Sequence, residues 1–365
     1  YNQNDELIIM TTGLSIRSLY LAVLVAMILS LSHSFSSAIN SHRGAGRNLL
    51  LNRRSLSQLF AGNDNDGESS PSLEDLVEDE MVEGWQVPKN VTTLSPSGAA
   101  DFMQCQMLYK FRHILRRKEP QSPALARGTV IHEVLADFFG LDPSERSRTR
   151  LERLFALRWA TARAKARRSE AQPGAYAELF ADAQEEKKWS EATLGVLLNE
   201  LLLEDVRRVR PAARELRLEE DFPGGLRVVG IVDRLDRGLD GGVSSVVDYK
   251  TGKPPLLKYS ESVNRRIIEQ KFFQLRVYAL LVAKHYQEIP KELKLIYLSG
   301  DDPAKLTKPI DSATIGQTLQ ELQEIWDAIQ NAVEEDSFET NKCRFCNFCF
   351  HKSVCPAWQN KETAS

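Results

Sequence analysis

The chain has 365 residues, 42% of them hydrophobic, and a formal charge of −3 at pH 7. That is enough apolar material for one sizeable core, which excludes a wholly disordered chain. The near balance of acids and bases gives no global sign of nucleic-acid binding, and no internal repeat is visible.

The N-terminal part reads as targeting sequence rather than fold. Leu19 to Leu31 is an apolar run of thirteen residues, preceded by Arg17 and followed by Ser36-Ser37-Ala38. Such a run is short for a membrane span but suits the core of a signal peptide, so residues 1–38 are expected to be a presequence and the mature form to hold no membrane segment. Ser41 to Ser57 is rich in Arg and Ser and has no acid, like a transit peptide. The order of the two segments points to a plastid, with the mitochondrion as the alternative; secretion suits five cysteines arranged for metal poorly. Gly62 to Pro88 carries nine acids and no Lys or Arg, which makes 39–88 a transit-like segment followed by an acidic disordered linker.

From residue 89 the pattern is that of an α/β domain. Ser95-Pro96 reads as the N-cap and first residue of a helix that carries Cys105. Val130, Ile131, Val134, Leu135, Phe138 and Phe139 form an apolar stripe at helical spacing with Gly140 as its stop, and His132 lies off the centre of that stripe. Taken alone it is a boundary residue. About 145–210 reads as a helical insertion whose first part, Arg146 to Arg168, recurs in basic residues; it could contact phosphates or be a solvated face. Strands are expected at Glu215–Phe222, Leu226–Asp236, Val243–Lys250 and Leu293–Ser299, with helices near Glu269–Tyr286 and Ser312–Ala332. This order gives a mixed central sheet flanked by helices.

The most informative stretch is the hairpin Gly230 to Gly252. Both strands are apolar up to Asp233 and Asp248, and Lys250 shares the Asp248 face because side chains two apart on a strand point the same way. If Asp240-Gly241 form a two-residue turn, Asp233 faces Asp248 with Cβ atoms roughly 5 Å apart. Two carboxylates that close call for a cation, and hard oxygen ligands suit Mg2+ or Mn2+. A turn at Gly241-Gly242 instead sets Asp233 opposite Lys250. Asp236 should point to the other face in a structural role. Gln274 and Tyr278, four apart on a helix, share a face and could hold a phosphate or the lysine, or simply pack at the boundary.

Cysteine spacing is the second signal. Cys343, Cys346, Cys349 and Cys355 lie within thirteen residues, and Cys105 is distant. Such clustering favours metal over disulfides, with zinc the default for four thiolates.

These residues carry a resemblance. Gly230-x-x-Asp233-Arg234 followed by Asp248-x-Lys250-Thr251-Gly252 resembles the PD-(D/E)XK nuclease superfamily, and within it the RecB-like nucleases. Gly128-Thr129-x-x-His132, Gln274-x-x-x-Tyr278 and the terminal Cys346-x2-Cys349-x5-Cys355 resemble further motifs of that group, over roughly residues 92 to 358. The resemblance implies a restriction-endonuclease-like fold and a metal-dependent nuclease acting on DNA, single-stranded or with free ends. It implies His132, Asp233, Asp248 and the Tyr249 carbonyl as Mg2+ or Mn2+ ligands. Asp233, Asp248 and Lys250 would be catalytic, with Gln274 and Tyr278 supporting. It also implies a 4Fe–4S cluster on Cys105, Cys346, Cys349 and Cys355 that joins the two ends of the domain. Cys343 departs from the pattern, so an all-local site using it, or Zn2+, stays open. No Walker-type phosphate loop is present, so any unwinding helicase is expected on a separate chain. The competing readings are a non-catalytic DNA-binding or repair scaffold that keeps the cluster, and an electron carrier, which would not need the acidic hairpin.

Overall fold

The computed structural model describes residues 91–168, 179–300 and 302–359. The signal-like, transit-like and acidic segments expected over 1–88 lie outside the described residues. Ser95 opens helix α1 (Pro96–Gln104): its hydroxyl accepts from the Gly98 amide, and Pro96 fills the first position, where no amide partner is needed. Ser122 and Pro123 repeat the device at α2 (Pro123–Phe138). The insertion supplies α3 (Arg148–Arg168) and α4 (Ala183–Leu198), the latter capped by Asp182. There follow β1 (Pro211–Asp221), β2 (Arg227–Arg237), β3 (Val243–Lys250), α5 (Glu261–Tyr286), β4 (Glu292–Tyr297), β5 (Ala304–Pro309) and α6 (Ser312–Glu334).

The five strands stand in the sheet in chain order. β1–β2, β2–β3 and β4–β5 are antiparallel, while β3 and β4 are parallel and joined through α5. Strand alternation sorts the apolar side chains to two sides. Leu235, Val246, Leu293 and Leu295 face α1, α5 and α6. Val247, Tyr249 and Ile296 face α2, α3 and α4. This is a restriction-endonuclease-like α/β fold with its mixed sheet covered on both faces. Among the described residues no helix is long and apolar enough to cross a membrane.

Several expectations need correction. Cys105 is not on α1 but in the break after it, where its extended backbone (φ −166°, ψ 116°) separates α1 from the short helix Gln106–Tyr109. Helix α5 begins at Glu261 rather than near Glu269, because its first two turns are polar and largely in solvent, so no apolar periodicity announces them. Strand β5 was not expected: it is a half-exposed edge strand whose lysines blunt pairing with another chain. The hairpin turn is also different. Gly238 donates to the Gly242 carbonyl at 2.8 Å and Gly241 to that of Gly238 at 3.1 Å, with Gly241 at φ +85°. This is a three-residue loop of Leu239, Asp240 and Gly241, not a two-residue turn. The longer loop would slip the pairing by one residue, but a bulge between Asp236 and Arg237 restores it. Arg234 therefore pairs with Val247, Leu235 with Val246 and Asp236 with Ser245.

Candidate active site

The site gathers at the end of β3 furthest from the hairpin turn, beside the middle of β2. The β2–β3 ladder ends at the pair Arg234–Val247, one residue short of Asp233 and Asp248. The Asp233 carboxylate accepts the Tyr249 amide at 2.8 Å and lies 3.4 Å from His132 Nδ1, which α2 delivers from the side. Asp248 is 1% exposed. Its Oδ2 forms an ion pair with Lys250 Nζ at 2.7 Å, without the geometry of a regular hydrogen bond. Lys250 donates instead to Gln274 Oε1 at 2.9 Å, and Gln274 Nε2 donates to the Tyr278 hydroxyl at 2.7 Å. Of the two roles open to Gln274, holding the lysine is the one this geometry displays. Gly230 makes room for the relay: a Cβ there would stand 2.9 Å from the Tyr278 ring and 3.0 Å from Leu281.

Glu215 was missed in the sequence, where it is one acid in the alternating run Arg214 to Asp221 with nothing to single it out. In β1 the pairs Arg214–Arg234 and Leu216–Val232 bracket it against Asp233. Its backbone is left-handed (φ +45°), an uncommon state for a residue with a Cβ. Ligand atoms of His132, Glu215 and Asp233 all lie within 4.8 Å of one another, the one such group of His, Cys, Asp or Glu among the described residues.

The electrostatics follow from this crowding. Burial pushes the Asp248 carboxyl from 3.8 up to about 6, with Lys250 opposing and Asp233 adding to the rise. Burial pulls the His132 imidazole down, yet the adjoining Asp233 carboxylate outweighs it and holds the ring above its ordinary range. Glu215 is raised by burial and by the Asp233 charge. The imidazole of His132 and the carboxylates of Glu215 and Asp233, with that of Asp248 beside them, form a donor set that fits a hard divalent cation.

Behind the site, on the opposite face of the sheet, the chain neighbours of the two aspartates are tied together. Arg234 is 1% exposed and donates to Asp236 at 2.9 Å, to Glu204 at 2.5 Å and to the Tyr249 hydroxyl, while its guanidinium lies 4.3 Å from the centre of the Phe139 ring. Burial holds Glu200, beside Arg234, well above the usual carboxylate range. Asp236 thus serves the buried network rather than the site.

Several arginines of the basic segment are paired with neighbouring acids. Arg158 forks onto Asp137, Arg163 pairs with Glu186, Arg150 with Glu145 and Arg148 with Glu152. Arg146 is buried and donates to four backbone carbonyls.

At the far end of the chain, a cavity of about 160 Å3 is lined by all five cysteines. Asn341 donates to the Gln104 carbonyl and Met107 to that of Glu339, so the C-terminal segment is laced to the region around Cys105. Burial pushes the Cys355 thiol up, and Cys105, Cys349 and Cys346 add to the rise.

The sequence profile of the PD-(D/E)XK nuclease superfamily matches residues 93–356, and the chain belongs to that superfamily. Among solved structures it is similar to a candidate exonuclease from Eubacterium rectale, at 13% identity over 82% of this chain and 96% of that one, with a TM-score of 0.42. It is also similar to SSO0001, at 20% identity over 48% of this chain and 77% of that one, with a TM-score of 0.26. Likenesses of that degree carry no argument about substrate. No curated protein matches.

Proposed function

We propose that the protein is a divalent-metal-dependent deoxyribonuclease, an exonuclease working from free DNA ends in repair, recombination or replication. The observation that carries this reading is the convergence of His132, Glu215 and Asp233 beside the buried Asp248–Lys250 pair. His132, Asp233, Asp248 and the Tyr249 carbonyl would hold Mg2+ or Mn2+, with Glu215 as a further donor. Such an ion supplies Lewis acidity: it lowers the pKa of water and offsets phosphate charge. The protein's own part is positional. Asp233, fixed by the Tyr249 amide, keeps the His132 ring in place. Lys250, held by Gln274 and Asp248, points one ammonium at the place where charge grows on the phosphorus oxygens, or orients the attacking water.

The cysteine cavity fits four thiolates around one inorganic centre. Cys105, Cys346, Cys349 and Cys355, the set with the spacing of the resembled motif, would hold a 4Fe–4S cluster, with a site using Cys343, or Zn2+, the alternative. Plastid delivery, or mitochondrial, follows from the N-terminal sequence, and a helicase on a separate chain would supply unwound DNA.

The test is cleavage of end-labelled linear and circular DNA by the anaerobically purified protein with Mg2+ or Mn2+. Asp233→Ala and Lys250→Ala should each abolish cleavage while melting close to the wild type; cleavage retained by either variant sinks the assignment. Resistance of circular DNA would support exonuclease action.

A further inference from the structure

Of the described residues after Phe338, His351 alone is buried. It lies between Cys349 and Cys355, is 5% exposed, and makes no regular hydrogen bond through Nε2. Burying an imidazole without a hydrogen bond has a cost, so a histidine is an unusual choice for the single buried residue of a segment. Its surroundings give the reason.

Residues 110–119 build a seat for the ring. Lys110–Ile114 form a π-helical turn, a rare geometry that concentrates at functional sites. Arg116 follows with a left-handed backbone (φ +50°), which a residue with a Cβ seldom adopts. Phe111, from the π turn, carries the His351 ring with centroids 5.0 Å apart and planes at 41°, and the Arg117 guanidinium lies 5.5 Å from the Phe111 centre. Glu119 closes the side: its Oε1 lies 3.2 Å from His351 Nε2, and Arg112 holds its carboxylate with two donors at 2.7 and 3.2 Å. Arg112 also donates to Asp101 of α1 at 2.8 Å. Phe111 and Arg112 at the same time line the cysteine cavity. None of these contacts uses a thiol.

We infer that His351 is a positioning residue: seated on Phe111 and Glu119, it pins the Cys349–Cys355 stretch against the segment that follows Cys105, so that thiols from both ends of the domain stand around the cavity before they bind anything. A site ordered in advance binds more tightly, because the chain pays no ordering entropy at the moment of binding. That the cavity takes a metal centre rests on the cysteine reading above; the seat itself does not.

The experiment uses the full chain, stripped of metal under reducing, anaerobic conditions, and reads hydrogen exchange of the 343–355 amides and then Co2+ uptake. His351→Ala should speed that exchange at least about tenfold while the β2 and β3 amides keep the wild-type rate. It should also raise the Co2+ concentration that half-saturates the thiolate charge-transfer band by about 10–100-fold. His351→Phe should restore both, since a ring of similar width refills the seat and Nε2 gives up no regular hydrogen bond. Exchange unchanged in His351→Ala, or accelerated equally in the sheet, overturns the inference, and so does faster exchange with unaltered Co2+ affinity. A wild type that takes up no Co2+ removes the metal reading, and faster exchange in His351→Ala then still upholds the seat.

Discussion

Asp248 is held in the sheet interior at the expense of stability. Its carboxyl rises from 3.8 to about 6 on folding, so the folded protein prefers the proton more than the unfolded chain does. A raised carboxyl leaves the fold most stable below pH 4 on this account, and the contribution is lost as pH climbs through 6. Asp248→Asn should therefore stabilise the metal-free protein at pH 8 by about 1–3 kcal/mol, with the advantage gone near pH 4, while cleavage disappears. Denaturant melts at the two pH values check it, and equal stability at pH 8 counts against the burial argument. Glu215 makes a parallel case. Glycine tolerates its left-handed backbone without the Cβ penalty. Glu215→Gly should match or exceed the wild type in thermal stability, yet require at least about tenfold more Mn2+ to reach half the metal-induced rise in melting temperature. An unshifted Mn2+ midpoint removes Glu215 from the ligand set.

The elements around the site are fixed from two sides. On the α5 side Gly230 admits Tyr278, and Gly230→Ala should push α5 away, costing about 1–3 kcal/mol and slackening the Gln274 hold on Lys250. A fall in kcat larger than the rise in KM would show it. On the α2 side Arg234 neutralises buried carboxylates, so Arg234→Leu should cost about 3–5 kcal/mol, since it leaves Glu204 and Asp236 buried without their cation. A urea midpoint within error of the wild type would refute that. These elements also divide what sequence can and cannot tell. The two hairpin strands, α2 and α6 were legible because their apolar residues recur at the period of the structure they form. The register of β2 against β3 was legible too, but by cancellation: the turn is one residue longer than its Asp-Gly signal suggests, and the bulge takes the difference back. Strand β5 and the start of α5 lie in solvent and carry no such period. Glu215 could be found only through the β1–β2 pairing, which no local signal sets.

At the scale of the molecule, the two ends of the domain meet at the cysteine cavity. A metal centre bridging Cys105 and Cys355 would close a loop of about 250 residues, and crosslinks over long loops restrict the unfolded chain most. Anaerobic protein should accordingly melt several degrees above protein whose centre has been removed by oxidation and chelation, and a Cys355→Ser variant should melt like the stripped form; coincident melts would show that the cysteines hold nothing structural. The sheet, meanwhile, lists its strands in the order in which the chain is written. During synthesis β1, β2 and β3 can pair as soon as they leave the ribosome, bringing Glu215, Asp233 and Asp248 together while the C-terminal cysteines are about ninety residues from being made. At about 5–20 residues per second that is an interval of several seconds in which the acidic hairpin exists and the cysteine cavity does not. A metal centre held by the cysteines would then be installed last, onto a chain whose acidic hairpin is already assembled.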